Sequence, residues 1–151
     1  MRTLSFAVPG KPAPQGSKRH VGNGRMVEMS PNLRPWRDSV AWHTRQAAIE
    51  FTGGDPLAGP VSLALMFYLA RPKSHYRTGR FAHLLRDDAP AIPETSADLD
   101  KLARAVADAI TAGKGWTDDS QVAVLYAARH YGEPGCHISI TELTTPEERK
   151  P

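Results

Sequence analysis

The sequence predicts one mixed α+β domain, a small sheet carrying two main helices, with elements in the order β-(β)-α-β-α-β-β. Three observations predict it. Residues 61–70, V-S-L-A-L-M-F-Y-L-A, form an apolar run of strand length, with Val61, Leu63, Leu65, Phe67 and Leu69 on one side. Between residues 97 and 112 the apolar positions change period: at about 100° per residue, Leu99, Leu102, Ala103, Val106 and Ile110 fall on one face of a helix. The length, 151 residues, suits a single domain able to bury a core.

In chain order, residues 3–8 (T-L-S-F-A-V) read as a first strand, closed by Pro9-Gly10. The loop over residues 10–24 holds Pro12, Pro14, Gly16 and Gly22, which argue against regular structure, and exposes Lys11, Lys18, Arg19 and His20. Such cations suit phosphate contact, and a solvated turn is the alternative. Residues 25–29 form the optional second strand. Pro35 stands in the first turn of a helix that runs to about Phe51 and ends at Gly53-Gly54. Trp36, Val40, with Ala41 beside it, His43 or Thr44, Ala47 or Ala48, and Phe51 give that helix its expected buried stripe, and Trp36 and Trp42 are read as packing residues.

The run at 61–70, both of whose faces are apolar, is expected to be a central strand. Residues 71–86 hold five Arg/Lys and no acid (Arg71, Lys73, Arg77, Arg80, Arg86) and are expected to form a mobile basic loop. Asp87 and Asp88 are read as solvated. A Pro-rich approach leads into the second helix, where Asp98, preceded by Thr95 and Ser96, takes the N-cap position. Gly113 and Gly115 make the turn after it. Residues 120–131 and 136–143 are expected to pair as a hairpin through Gly132-Glu133-Pro134-Gly135. The domain is thus set at 1–143, with a polar tail at 144–151.

Charge is unevenly spread. Residues 1–86 carry 13 Lys/Arg against 4 Asp/Glu, whereas residues 87–151 carry 6 against 12. A basic half that can lie along phosphates, joined to an acidic half whose carboxylates call for cations, is the distribution expected of a metal-dependent nuclease. The single cysteine, Cys136, excludes an intrachain disulfide and a cysteine-rich zinc cluster, in keeping with a reducing compartment. With no stretch long enough to span a bilayer and no signal-like start, a cytoplasmic location is expected.

The chemistry concentrates at 97–122. Asp98 and Asp100 open the helix one residue apart, and Asp118-Asp119 stand at the mouth of the next strand. Asp100, Arg104 and Asp108 share a face at i, i+4 spacing, with Lys101 beside them. The run Asp98-Leu99-Asp100-Lys101-Leu102-Ala103-Arg104, then Asp108-Ala109-Ile110, then Asp118-Asp119-Ser120-Gln121, resembles the RusA family of Holliday junction resolvases. Their pattern reads roughly D-x-D-N-x-x-K, D-A-L and D-D-x-Q. Val8 to Arg19 looks like that family's opening strand and basic loop, and Arg71-Pro72-Lys73 also falls on the pattern.

The resemblance implies a magnesium-dependent endodeoxyribonuclease, with manganese as a possible substitute ion and no nucleotide cofactor. It would act as a homodimer on branched, four-way DNA in recombination and repair, in a bacterial or phage-infected cell. It places Asp98, Asp100 and Asp119 as ligands, with Asp118 as an outer or alternative one, since neighbours on a strand point to opposite faces. Two residues depart from the pattern: Lys101 replaces the family's Asn, and Arg104 its catalytic-type lysine. Arginine clamps phosphate but does not readily donate a proton, so either Arg104 or Lys101 is expected to take that role. The expected DNA contacts are Lys11, Lys18, Arg19, Arg71, Lys73, Arg77, Arg80 and Arg129. Two other readings stand: a non-catalytic branched-DNA-binding protein of the same fold, and a metal-dependent nucleotide phosphohydrolase, against which the two long basic loops argue.

Overall fold

The computed structural model describes residues 1–16, 18–20, 22–24, 26–28, 31–95, 97–144 and 147, with backbone alone at 18–20 and 26–28. Its elements are β1 (Thr3–Pro9), β2 (Lys18–His20), β3 (Met26–Glu28), α1 (Leu33–Thr52), β4 (Val61–Leu69), α2 (Leu99–Ala112), β5 (Val122–Tyr131) and β6 (Gly135–Glu142). The fold is the mixed α+β domain that the sequence predicts. β1, β6, β4 and β5 form one sheet in that order, with β4 in the interior.

β4 runs parallel to β5 and antiparallel to β6, which in turn pairs antiparallel with β1. A parallel neighbour cannot be reached by a tight turn; here α2 makes the crossover. Alternate residues of the strands, Leu4 and Val8, Val61 to Phe67, and Cys136, Ile138 and Ile140, bury one face of the sheet against α1 and α2. Leu102, Ala103, Val106 and Ile110 form the buried stripe of α2, as their spacing requires. α1 and α2 approach closely because Gly113 lacks a side chain: a Cβ there would stand 2.4 Å from the carbonyl oxygen of Ala41.

Several expectations are corrected. β5 and β6 do not pair with each other; β4 lies between them and takes both as partners. The link at 132–134 is short enough for a hairpin, but an apolar strand such as β4 is satisfied only with a neighbour on each edge. The 10–24 loop is not wholly irregular, because β2 and β3 pair antiparallel, Lys18 opposite Glu28 and His20 opposite Met26. Gly22, Asn23 and Gly24, at φ 89, 50 and 70°, supply the left-handed turn between them, so the glycines make the hairpin instead of preventing structure.

On α1, Trp36 is buried at 3% exposure, but Trp42 (61%) and Phe51 (55%) face solvent. The expected Trp36, Val40, Thr44, Ala47 and Ala48 do carry the packing, joined by Leu33. Residues 71–86, expected as a mobile basic loop, form a cross-linked arm with two 3₁₀ turns, Lys73–His75 and Gly79–Phe81, and a bridge between Tyr76 and Leu85. Asp87 and Asp88 are exposed, as expected, yet each meets an arginine. The tail beyond Thr144 lies, except for Glu147, outside the described residues.

Candidate active site

α2 and the turn before β5 bring part of the acidic set together. Asp100, Arg104 and Asp119 line one hollow of about 220 Å³, with Leu63, Ala103, Ala107, Val122 and Leu125 as its walls. The helical repeat explains the selection, since residues 100, 103, 104 and 107 recur on one face. Asp119 arrives from the first position of a 3₁₀ turn, Asp119–Gln121, and not from the strand itself.

Asp98 is the N-cap of α2 by backbone conformation (φ −63°, ψ 137°), but its side chain makes no capping hydrogen bond. It is exposed, and its carboxylate lies 3.5 Å from the ammonium of Lys101. Lys101 is therefore directed to Asp98, while Arg104 opens on the hollow. Asp118 is committed elsewhere. Its carboxylate accepts from the Ser120 amide at 3.1 Å, and the side-chain oxygen of Gln121 accepts from the Asp118 amide at 3.1 Å. Ser120, through its side chain and then its amide, holds the Asp118 carboxyl below its ordinary pKa of 3.8. Among the described residues, no group of three or more His, Cys, Asp or Glu side chains is gathered closely enough to hold a metal ion.

Two contacts fix the hollow's surroundings. Gln121 donates to the carbonyls of Leu57 (3.0 Å) and Gly59 (2.9 Å), pinning the Asp118-Asp119 turn to the segment before β4. Arg129 donates to the carbonyl of Ala97 at 2.6 Å, the residue before Asp98, and so braces the entrance of α2 from β5. The sequence singled out Arg129 as a phosphate contact and gave Gln121 no role. A long polar side chain two residues past an acid doublet, at a strand start, was the available signal.

The basic loop docks on the same helix. The Gln15 amide donates to the Lys101 carbonyl at 3.1 Å, its side chain donates to the Asp108 carboxylate, and Gly16 lies against the Arg104 guanidinium. Lys11 is exposed and lines a second cavity of about 500 Å³ beside Ala97 and Leu102. The side chains of Lys18 and Arg19 lie outside the described residues. Of the arm's cations, Arg71 donates to the Pro90 carbonyl at 2.8 Å and stacks over Tyr131, and Arg77 pairs with Asp87 at 2.9 Å. Lys73 and Arg80 are exposed, Arg80 stacking over Phe81. The Cys136 thiol, buried, has its pKa pushed up to about 12 by desolvation and is inert at neutral pH.

An α+β domain with acids and an arginine around one solvent-open hollow, flanked by cationic loops, has the make-up of a protein that handles phosphate esters. The family model of endodeoxyribonuclease RusA matches residues 9–141, and the chain belongs to that family of nucleases. A search of the curated proteins found no match.

Proposed function

We propose that this chain is a magnesium-dependent, structure-specific endodeoxyribonuclease that resolves four-way DNA junctions by paired symmetric nicks. The observation that carries the reading is the shared hollow of Asp100, Asp119 and Arg104 in a chain of the RusA family. Magnesium keeps several waters and is commonly held by one or two carboxylates together with substrate phosphate. Asp100 and Asp119 fit that demand, with Asp98 able to join from the helix entrance and Asp118 as an outer group. When bound, a divalent ion supplies a nucleophile near neutral pH and offsets charge on the phosphoryl oxygens; manganese can substitute.

The chain's own residues do the rest. Arg104 clamps a non-bridging phosphate oxygen, the role the family gives to a lysine, while Lys101 neutralises Asp98 until the ion is present. Lys11, Lys73 and Arg80 hold flanking phosphates, and Lys18 and Arg19 extend that contact. Arg71, Arg77 and Arg129 act through structure instead.

One hollow per chain makes one nick, so paired nicks call for a two-fold homodimer. The edge strand β5, where Val124, Leu125 and Tyr126 are each more than half exposed, together with the half-buried outer face of β4, is the surface for it. The setting is the cytoplasm of a bacterial or phage-infected cell; among the described residues no helix is long and apolar enough to cross a membrane.

The test is a synthetic four-way junction with purified protein, with and without magnesium. Symmetric nicks that need the metal are expected. Asp100→Asn should abolish nicking and leave junction binding largely intact; loss of both together would mark Asp100 as structural. A second reading, a junction-binding protein without turnover, draws on the Lys101–Asp98 ion pair, which places a cation on a prospective ligand. Retained affinity with no nicking in magnesium or manganese would establish it.

A further inference from the structure

The arm over residues 71–90 is more than a solvated basic stretch. Its two limbs are tied by the Tyr76–Leu85 bridge and by hydrogen bonds from the Arg77 amide to the Leu84 carbonyl and from the Arg86 amide to the His75 carbonyl, both 2.9 Å. Its acids are spent internally, Asp87 on Arg77 at 2.9 Å and Asp88 on Arg86 at 3.5 Å. Its base is clamped by Arg71, which reaches the Pro90 carbonyl and covers the Tyr131 ring.

What this framework holds out to solvent is apolar. Phe81, Leu84 and Leu85 are 45, 42 and 41% exposed; Phe81 stands in the turn at the tip, and Leu84 and Leu85 follow on the returning limb. Charged or small residues would be the ordinary occupants of such a tip, so a cluster of large apolar ones marks a contact surface. Arg80, stacked on Phe81, and Lys73, nearer the arm's base, have no acidic partner among the described residues, so the surroundings favour a polyanion over a neutral protein surface. In the chain the arm follows β4 and precedes the carboxylate-bearing start of α2.

We propose that the arm inserts its Phe81, Leu84 and Leu85 tip against bases that have lost a stacking neighbour at a DNA branch point, while Lys73 and Arg80 take the adjoining phosphates. Proteins commonly drive Phe or Leu between base steps in this way, and the cost of unstacking is lowest where the stack is already interrupted. The tip thereby selects branched over continuous duplex DNA. This inference rests on the junction-endonuclease reading and adds the means of recognising the branch.

The experiment uses a four-way junction with 2-aminopurine at the branch nucleotides, titrated with the full chain in EDTA so that no strand is cut. Wild type should change the probe's emission at the branch but not in the middle of an arm. Phe81→Ala should lose that change and bind the junction about tenfold more weakly, with duplex affinity altered by less than about twofold. Phe81→Trp should restore both, and Leu84→Ala should show a smaller loss of the same kind. Wild-type behaviour of Phe81→Ala, while magnesium-dependent nicking persists, overturns the proposal and leaves the nuclease reading standing. Equal loss on junction and duplex overturns it in favour of a general electrostatic contact. A fall in oligomeric mass on light scattering overturns it in favour of an arm that packs on a second copy. A wild-type chain that neither binds nor nicks the junction overturns both readings together.

Discussion

Arg129→Met should slow strand cleavage while leaving DNA affinity nearly unchanged. The guanidinium donates to the Ala97 carbonyl at 2.6 Å, and this contact joins β5 to the entrance of α2 one residue before Asp98. A hydrogen bond from a charged donor contributes about 1.5–3 kcal/mol, and removing it releases the backbone that places Asp98 and Asp100. Misplacing a catalytic group by roughly 1 Å costs about a hundredfold in rate. The expected result is a kcat lower by about 10- to 100-fold, with more magnesium needed for half-maximal rate. Initial nicking rates on a four-way junction across a magnesium series give these quantities, and fluorescence anisotropy at several salt concentrations gives Kd. If Arg129 instead touches phosphate, kcat at saturation holds, Kd weakens, and the slope of log K against log salt falls by about 0.9. That outcome would refute the bracing role.

Magnesium alone should stabilise the chain: at a hundredfold excess over its Kd it adds about 2.7 kcal/mol. For a domain of this size that is a rise in Tm of about 5–10 °C, and Asp100→Asn should abolish most of it; a wild-type melt unmoved by millimolar magnesium would count against the site. Asp118 has its folded pKa held below the ordinary 3.8, so its contribution is present above that value and is lost as pH falls through the folded value. Thermal melts of wild type and Asp118→Ala should therefore converge in acid, and a gap that stays constant down to about pH 2 would exclude this linkage. Glu142 is fully buried and accepts from Arg2 at 2.6 and 3.0 Å and from the Ala58 amide at 3.2 Å. Glu142→Ala should cost about 1–3 kcal/mol in urea unfolding, because it strips the Ala58 amide and the partly exposed Arg2 of their acceptor, and a loss below about 0.5 kcal/mol would show these contacts to be dispensable.

The elements that local period and breakers determine were legible, and those decided by competition between partners were not. The apolar run of β4 and the stripe of α2 are set by their own residues, and both stand where their spacing puts them. β5 and β6 are sequence neighbours with a turn-forming link, which favours pairing; whether β4 intervenes depends on its demand for two edges, a property of the whole sheet. Trp42 was misplaced because a 20-residue helix in a two-layer domain buries only one stripe, and the stripe through Leu33, Trp36, Val40 and Ala47 leaves Trp42 outside it.

The acid pair shows the same division. Two carboxylates one residue apart look convergent on paper, but a helical step turns the second by roughly 200° from the first. Asp98 escapes that geometry only because its backbone is extended, and Asp100 joins Arg104 because i and i+4 coincide. Pairing Asp100 with Asp119 required knowing where the turn after α2 is held, and Gln121 fixes it by donating to Leu57 and Gly59, 64 and 62 positions earlier in the chain.

The uneven charge of the two halves was visible in the sequence, but not where the halves meet. Gln15 and Gly16, from the basic half, lie on Lys101, Asp108 and Arg104 of the acidic one. Gly16 sits at φ 102°, a backbone conformation that calls for glycine, and it lies against the Arg104 guanidinium. On the proposed reading, a phosphate gripped by the first loop would be held at a fixed offset from the hollow, because Gln15 ties that loop to the helix that carries Asp100.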